Sequence, residues 1–512
     1  MKTIVNYFKG FFFLLPLLLA SGCTKRLNEE LFSTLSPANY YKTPEEALSS
    51  VVGVYQRSVN LTYYNGTYRA TELGTDEYVI AARTNGGWFD GGVHIEYALH
   101  KVTPQNAQNN TAWGEVFGII GAANAVMQSL QESPGAVNLA PIIAEVRALR
   151  ANAYYYAMDL WGNVPIVTAA KIDPANLPKN SSRADVFKFV ETELLAAATD
   201  LPSVTSFATA AQKAAYYPRF TKEAVYATLA TVYLNAGVYT GTEKWKEASD
   251  MSDKIISTGA YILEPQFMTN FVGDNDRSRE LISSFAIDPA QNAGGNQFVR
   301  GALNPLHVTL FNPVLPFVPA NGFNTTEEAL NRYEAVDIRR RNILWGPQVD
   351  VNGAPIRTSN GSQLVLIPIK DLTKAEDNEG YKVLKYVPNG KWVVRDADND
   401  VILTRYADIL LIKAEALFRT GSVEPARTLV NQVRARSSAP ALTTLTLKDI
   451  EDERGRELLW EGHRRRDLIR FGTYFTGVWK FHTTETPKFR GLYPIPEQQL
   501  IANRNLVQNP GY

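Results

Sequence analysis

The sequence predicts a mainly α-helical fold, in which a scaffold of paired helices carries a loop-rich face. The first observation is a run of strong helix formers at 405–417, which contains neither glycine nor proline and stops before Gly421. A second helix follows, with Pro425 near its start, where the missing N–H of proline removes no helical hydrogen bond. Its apolar residues repeat at the three- and four-residue spacing of a half-buried helix: Ala426, Leu429, Val430 and Val433.

The second observation is that this helix pair recurs earlier in the chain, at 224–256. In the later pair, a small residue and a leucine precede the turn glycine Gly421 at fixed offsets. Three residues of the earlier pair have the same offsets: Ala230, Tyr233 and Gly237. Helix pairs with a small residue, an aromatic residue or leucine, and a turn glycine at these offsets resemble tetratricopeptide repeats. Because the units are irregular and scattered, we expect a tetratricopeptide-like scaffold with loop-rich insertions at about 60–110 and 261–400, and not a uniform solenoid.

Further helices are predicted from their caps and from the spacing of their apolar residues. A capping box with proline at the first helical position, Thr43-Pro44-Glu45-Glu46, opens a helix over 47–55. Ser182 caps a helix that runs to about residue 199, and Thr325-Thr326 caps another. The remaining predicted helices cover 112–130, 142–160 and 449–470.

The first 22 residues are predicted to be a signal peptide and not part of the fold. Lys2 and Lys9 give it a positive start, and the apolar run Phe11–Ala20 is shorter than the about 20 residues that a spanning helix needs. The segment Leu-Ala-Ser-Gly-Cys that ends at Cys23 looks like a bacterial lipobox, in which cleavage precedes a lipidated cysteine. Cys23 is also the only cysteine in the chain. We therefore expect residues 23–512 to form one domain that a lipid at Cys23 anchors to a membrane.

Charge and motif content argue against several classes of function. Lys and Arg together number 52, as do Asp and Glu, and no basic stripe with interleaved aromatic residues occurs, so a nucleic-acid partner is not expected. The five histidines lack metal-ligand spacing, and the sequence has neither a Gly-x-Ser-x-Gly elbow nor a phosphate-binding glycine loop. We expect no cofactor, no metal site and no catalytic residues.

The densest charge cluster lies at 453–470 and contains three consecutive arginines, Arg464, Arg465 and Arg466. Such a run suggests a phosphate or acidic-sugar site. Acids at helical spacing within the same segment already match these bases. We therefore interpret the cluster as ion pairing between helices.

The strongest candidate site is the segment 63–92, which is irregular and rich in aromatic, glycine and polar residues. Sugars present flat C–H faces between hydroxyl edges, so aromatic rings cover the faces while carboxylate, amide and guanidinium groups bond to the hydroxyls. This segment supplies both kinds of group: Asp76, Arg83, Trp88 and Phe89. The alternative interpretation is that Trp88 and Phe89 only anchor the loop to the scaffold.

Aromatic residues of the second excursion are candidates for the opposite side of this site. They are Phe311, Phe317, Phe323 and Trp345. A core position is the alternative for each of them taken alone.

Several motifs of this chain are shared with one family. Near the C-terminus stand Arg405-Tyr406-Ala407-Asp408-Ile409-Leu410-Leu411, Glu461-Gly462-His463-Arg464-Arg465-Arg466-Asp467-Leu468 and the ending Gln508-Asn509-Pro510-Gly511-Tyr512. Trp161-Gly162 with Val164-Pro165 stands earlier in the chain. With these motifs the chain resembles the SusD/RagB family, outer-membrane lipoproteins of the Bacteroidetes, from Cys23 to Tyr512.

The resemblance implies a SusD-like superhelix of tetratricopeptide-like units with a loop-rich ligand-binding face. It also implies a non-catalytic, exterior-facing lipoprotein of the cell outer membrane. Such a protein binds a nutrient glycan and delivers it to a TonB-dependent, SusC-like transporter. In related starch binders the ligand site draws on the region of Asp76, Arg83 and Trp88, which the resemblance carries over as candidate ligand contacts.

Two alternatives belong to other classes of function. A lipid-anchored scaffold could hold a peptide or protein in its helical groove, and its exposed aromatic residues would then lie along that groove. A glycoside hydrolase would need two carboxyl groups about 5–10 Å apart beside a cleft. Asp76 and Glu77 are adjacent, so on a strand they point to opposite faces and make a poor acid–base pair.

Overall fold

The computed structural model describes residues 41, 43–62, 66–133, 138–288, 296–387 and 398–512. The predicted signal peptide and Cys23 lie outside these residues. Helices dominate the described chain and its strands are short, so the mainly α-helical prediction is confirmed. Within the described residues, no helix is both long enough and apolar enough to cross a membrane.

The described helices are, in chain order, α1 (Pro44–Ser58), α2 (Gly66–Glu72), α3 (Val93–Ala98), α4 (Ala107–Gln131), α5 (Ala140–Trp161), α6 (Arg183–Asp200), α7 (Ala210–Tyr216), α8 (Lys222–Leu234), α9 (Ala236–Thr240), α10 (Trp245–Ile256), α11 (Phe298–Ala302), α12 (Glu327–Asn331), α13 (Tyr406–Arg419), α14 (Val423–Arg436), α15 (Leu447–Glu457), α16 (Arg464–Phe471), α17 (Thr473–Thr476) and α18 (Glu497–Ala502).

The described strands are β1 (Val79–Ile80), β2 (Leu281–Phe285), β3 (Phe323–Asn324), β4 (Ile343–Leu344), β5 (Gly346–Pro347), β6 (Val365–Leu366), β7 (Lys382–Val383) and β8 (Val401–Arg405). They form antiparallel pairs: β1 with β3, β2 with β8, β4 with β7, and β5 with β6. A single bridge between Thr325 and Tyr381 joins the first of these pairs to the third. The strands therefore hold the excursions together and do not form a separate sheet domain.

Local capping explains where the helices begin. The Thr43 hydroxyl accepts the N–H of Glu46 at 3.2 Å, and the Glu46 carboxylate accepts the N–H of Thr43 at 3.1 Å, which completes the predicted capping box. Ser182 accepts the N–H of Asp185 at 3.1 Å and starts α6 as predicted. Helix α4 begins at residue 107, earlier than predicted, because Asn106 caps it through the N–H of Asn109.

The long helices form a continuous array in which each helix packs mainly on its neighbours, in the order α4, α5, α6, α8, α10, α13 and α14. Fully buried alanines lie within both predicted helix pairs: Ala230 and Ala248 in the earlier pair, and Ala414 and Ala426 in the later one. Side chains this small let paired helices approach closely. The prediction of a scaffold of helix pairs is confirmed.

The predicted single helix over 449–470 is wrong, because the chain breaks there into α15 and α16. Trp460 and Gly462 have φ of 61° and 79°, in the left-handed region, which ends a right-handed helix. Their N–H groups donate to carboxylates of a distant segment, Trp460 to Glu77 at 3.2 Å and Gly462 to Glu72 at 2.6 Å. These non-local bonds keep the backbone out of the helical conformation.

A buried ion-pair network joins the helical array to the loop-rich face. The guanidinium of Arg405, at the start of α13, has no exposed surface and pairs with Glu280, Glu457 and Glu461 at 2.7, 2.5 and 2.7 Å. The negative charges of Glu461 and Glu457 outweigh the effect of burial and raise the pKa of Arg405 well above its usual range. Truncating one member of such a network leaves the other charges buried without a partner.

The segment 453–470 does contain buried ion pairs, such as Arg454 with Asp467 at 2.7 Å, but the predicted pairing of the three consecutive arginines with acids of the same segment is wrong. Arg464 pairs with Asp76 at 2.7 Å. Arg465 lies over the ring of Tyr493 at 4.2 Å, and Arg466 lies over the ring of Tyr155 at 5.1 Å. Helical spacing therefore predicted neither the remote acid that pairs with Arg464 nor the tyrosine rings beneath Arg465 and Arg466.

Candidate functional site

The loop-rich face is assembled around the pairing of β1 with β3. Val79 lies opposite Asn324 and Ile80 lies opposite Phe323, so the aromatic loop that follows β1 runs beside the segment 319–324. Backbone bonds attach the loop to a third segment, because the N–H of Ala82 donates to Leu372 O at 2.8 Å. Segments far apart in sequence therefore meet around Trp88 and Phe89.

Arg83 fixes these segments to one another. Its Nε and Nη2 donate to the Asn321 carbonyl at 3.0 and 2.6 Å, and its Nη1 donates to the carbonyls of Glu376 and Glu379, both at 2.8 Å. Nη2 also donates to Asn324 Oδ1 at 3.0 Å. The side chain is buried, and this burial lowers the pKa of Arg83 to about 10. Because internal acceptors occupy its guanidinium, Arg83 has no free donor for a ligand in this conformation.

Asp76 is also held from within the protein. Arg464 Nε donates to Asp76 Oδ1, while Arg464 Nη2 and Arg332 Nη2 donate to Asp76 Oδ2, each at 2.7 Å. Burial acts to raise the pKa of Asp76, but the Arg464 and Arg332 guanidiniums outweigh burial and hold that pKa well below its usual range. The carboxylate therefore ties α2 and β1 to α16, and it faces the protein.

Trp88 is half-buried and fixed in position. Its indole Nε1–H donates to the Ala320 carbonyl at 2.7 Å, and its ring packs edge-on against Phe323 with centroids 5.5 Å apart. Its φ of 61° lies in the left-handed region. A Cβ on Gly322 would lie 2.2 Å from the Trp88 ring, so only glycine fits beneath it. The ring is thus a preorganised platform with part of its surface open to solvent.

Phe89 and Trp345 present more of their surface. Phe89 is 51% exposed and Trp345 is 44% exposed, and the Arg340 guanidinium lies 5.0 Å from the centroid of the Trp345 ring. Phe323 is fully buried, and its contribution to this face is to support Trp88. Phe311 and Phe317 are half-buried against a small apolar cluster around Leu315.

Phe89 and Trp345 are the exposed tryptophan and phenylalanine side chains of the described chain, and both lie in the loop-rich excursions. The peptide-groove alternative required exposed aromatic residues along the helices. Apolar side chains exposed on the helical array, such as Val52 and Leu195, are scattered singly.

The segment beneath Trp88 was not among the residues predicted from the sequence. Ala320, Asn321 and Gly322 supply the acceptors for Trp88 and Arg83 and the space for the indole ring. An Asn-Gly dipeptide such as Asn321-Gly322 is typical of a turn, but no local signal connects it to residue 88. As for metals, no group of three or more potential ligand side chains occurs in the part of the chain that the structure describes.

Comparisons with known proteins agree with this architecture. Residues 332–512 match a family model described as "SusD family", and residues 42–234 match one described as "Starch-binding associating with outer membrane". The chain is 26% identical to the starch-binding protein SusD of Bacteroides thetaiotaomicron over 88% of this chain and 86% of that protein. It is 25% identical to SusD-like protein P38 of Formosa agariphila over the full length of both.

Solved structures share the fold. A laminarin-binding SusD-like protein superposes with a TM-score of 0.75 at 24% identity, covering 92% of this chain and 100% of that one. Surface glycan-binding protein A of Bacteroides thetaiotaomicron, in complex with laminarihexaose, superposes with a TM-score of 0.74 at 21% identity, covering 91% of this chain and 99% of that one.

Proposed function

Because this chain belongs to the SusD family, we propose that it is an outer-membrane lipoprotein that binds a nutrient glycan on its loop-rich face and delivers it to a TonB-dependent, SusC-like transporter. The observation that carries the proposal is the pair Trp88 and Phe89. The Trp88 ring is fixed by its hydrogen bond to Ala320, and the Phe89 side chain is 51% exposed. One relative is a starch-binding protein, and one structural neighbour is a laminarin-binding protein. The glycan of this chain is therefore an oligosaccharide or polysaccharide.

The chemistry of the face suits a sugar. A pyranose ring has an apolar C–H face that stacks on an aromatic ring, and rings held in place lose little conformational freedom when they bind it. Trp88, Phe89 and Trp345 are the proposed stacking residues. Three further predicted residues hold the proposed site in shape and are not proposed to contact the sugar: Asp76, Arg83 and Phe323. Their side chains already make contacts within the protein.

The proposed function is non-catalytic. A glycosidase acid needs a raised pKa so that it is protonated at the working pH. Asp76, the carboxylate of the aromatic loop region that the sequence singled out, is held in the opposite state by Arg464 and Arg332. The relatives are described as binding proteins, which supports the same reading.

The membrane part of the proposal concerns residues outside the described structure. We place the signal peptide at 1–22, the lipid on Cys23, and one domain at 23–512, with the loop-rich face directed to the exterior and to the transporter. The family description "associating with outer membrane" supports this location. Weak binding at one site suffices for delivery if the glycan stays near the transporter mouth at a high effective concentration.

A glycan array followed by calorimetry tests the binding proposal. Phe89→Ala removes an exposed ring with little effect on folding, and the matched control Ile501→Ala removes a side chain that is 72% exposed on α18. We expect Phe89→Ala to weaken binding of the best glycan by about tenfold, from the loss of one stacking contact. The control should bind as the parent protein does. Equal affinities of all three proteins would overturn the proposed site, and binding of no glycan would overturn the proposed function.

A further inference from the structure

A second cleft lies between the short helix α7 and strand β2, and it shares no lining residue with the aromatic loop. Its volume is about 50 Å³, room for a few water molecules or one end of a small ligand. Four aromatic residues contribute to its walls: Phe207, Tyr216, Tyr217 and Tyr261.

The aromatic walls are held by contacts among the lining residues, and one of these residues is paired with a buried carboxylate outside the cleft. The rings of Phe207 and Tyr216 lie 5.0 Å apart, and the Arg219 guanidinium lies 4.4 Å from the Tyr216 ring. Arg219 is itself paired with the buried Glu145 at 2.6 Å. The cleft is therefore preformed, and its walls need little reordering to accept a ligand.

Strand β2 contributes a serine hydroxyl that has no hydrogen-bond partner among the described residues. Ser283 lines the cleft and is 7% exposed, and its Oγ has no hydrogen-bond partner among the described residues. The neighbouring Ser284 is different, since its Oγ bonds to the Tyr217 hydroxyl at 2.6 Å. Buried hydroxyls are normally bonded, so Ser283 indicates a polar group that enters the cleft from outside the chain.

The mouth of the cleft holds a lysine that lies close to both an arginine and a carboxylate. Lys213 lines it with Nζ 5.6 Å from the centroid of Tyr261, and partial burial and the nearby charge of Arg279 lower the pKa of Lys213. In the described part of the chain, neither Lys213 nor Arg279 forms an ion pair. Glu223 is close by, but Ser203 Oγ and the N–H of Val204 donate to its two oxygens at 2.6 and 2.8 Å.

We propose that a uronic-acid residue, a pyranose that carries a carboxylate, binds across the mouth of this cleft and inserts one hydroxyl-bearing edge into it. The carboxylate pairs with Lys213 at the mouth, with Arg279 adding to the attraction, and a ring hydroxyl bonds to Ser283 Oγ. The apolar face of the pyranose packs on the aromatic wall formed by Phe207 and Tyr217. The protein thus has a second sugar site that selects for acid groups, and this assignment does not depend on the loop-rich face.

Saturation-transfer NMR with sodium glucuronate and with glucose tests the assignment, because the two sugars differ in the carboxylate. We expect glucuronate to bind at least tenfold more tightly than glucose, and Lys213→Gln to remove most of that difference. Lys246→Gln is the matched control, since Lys246 is 79% exposed on α10 and does not line the cleft. Equal binding of both sugars, binding of neither, or retention of the preference in Lys213→Gln would each overturn the proposal.

Two further variants locate the binding and separate it from the proposed function. Ser283→Ala deletes an unbonded hydroxyl, so the melting temperature should stay unchanged or rise while glucuronate binding falls severalfold. Unchanged glucuronate affinity in Ser283→Ala would contradict the proposed pose. Phe89→Ala should leave the glucuronate signal intact even where polysaccharide binding is lost. A loss of both in Phe89→Ala would mean that glucuronate binds at the loop-rich face, which would overturn the second site.

Discussion

Trp88 donates its indole N–H to the carbonyl oxygen of Ala320 at 2.7 Å, although the two residues are separated by more than two hundred positions. This bond fixes the ring that the proposed glycan site depends on. Gly322 lies under the same ring, where no side chain fits. The proposed sugar platform is therefore built by two segments, one of which supplies the ring and the other its support.

Gly322→Ala should disturb the platform selectively. The added Cβ would lie 2.2 Å from the indole, so the Trp88 ring has to shift. We expect glycan affinity to fall at least tenfold, with a loss of unfolding free energy of about 1–3 kcal/mol from overpacking. Calorimetry and thermal denaturation measure the two effects. Gly53→Ala is the control, because nothing lies within 4 Å of a Cβ there, and it should leave glycan binding unchanged.

Arg83→Gln should destabilise the loop-rich face. The substitution removes most of the donors that join Asn321, Glu376 and Glu379, and it takes these hydrogen bonds from the carbonyls of the buried residues Asn321 and Glu379. We expect the free energy of unfolding to fall by about 2–4 kcal/mol in urea denaturation. Arg357→Gln, at an exposed arginine, should stay within about 0.5 kcal/mol of the parent. A similar small change for Arg83→Gln would show that the guanidinium is not structural.

Asp76→Asn should change the pH dependence of stability. The pKa of Asp76 is depressed in the folded protein, so its contribution to stability is complete above the unfolded pKa of about 3.9 and is lost as the pH falls toward the folded pKa. The variant should therefore be less stable than the parent at about pH 5, where the Asp76 carboxylate is ionised in both the folded and the unfolded parent. That difference should narrow below about pH 4, as followed by denaturant unfolding at each pH. A gap that widens on acidification would contradict the assigned direction.

Gly462→Ala should destabilise the break between α15 and α16. Its φ of 79° suits glycine, while the nearest atom to an added Cβ is the Thr71 hydroxyl at 3.5 Å, an ordinary contact. Backbone strain alone should lower the free energy of unfolding by about 1–2 kcal/mol. Thermal denaturation measures the loss. An unchanged melting temperature would mean that the segment relaxes into another conformation.

The helices were predictable because their signals are local. The capping box at Thr43 and the apolar stripe that includes Val430 and Val433 belong to single segments, and the structure places these helices close to the predicted bounds. The helix break at 458–463 was not predictable, because Glu72 and Glu77 hold it from nearly four hundred residues away. Non-local carboxylates leave no mark on the local sequence pattern.

The candidate site divides in the same way. Aromatic composition pointed to Trp88 and Phe89, and the structure leaves surface of both open. The sequence could not show that the charged groups of Asp76 and Arg83 bond inside the protein. Their partners, Arg464 and Asn321, are remote in sequence. Residue type alone does not distinguish a side chain that contacts the ligand from one that supports the site from within the protein.

The most direct test of the account is a crystal structure of the protein with the oligosaccharide that binds best on the array. We expect a sugar ring stacked on Trp88 or Phe89, with Arg83 still bonded to Asn321 beneath it. A sugar bound in the groove of the helical array, with the Trp88 loop unoccupied, would contradict it.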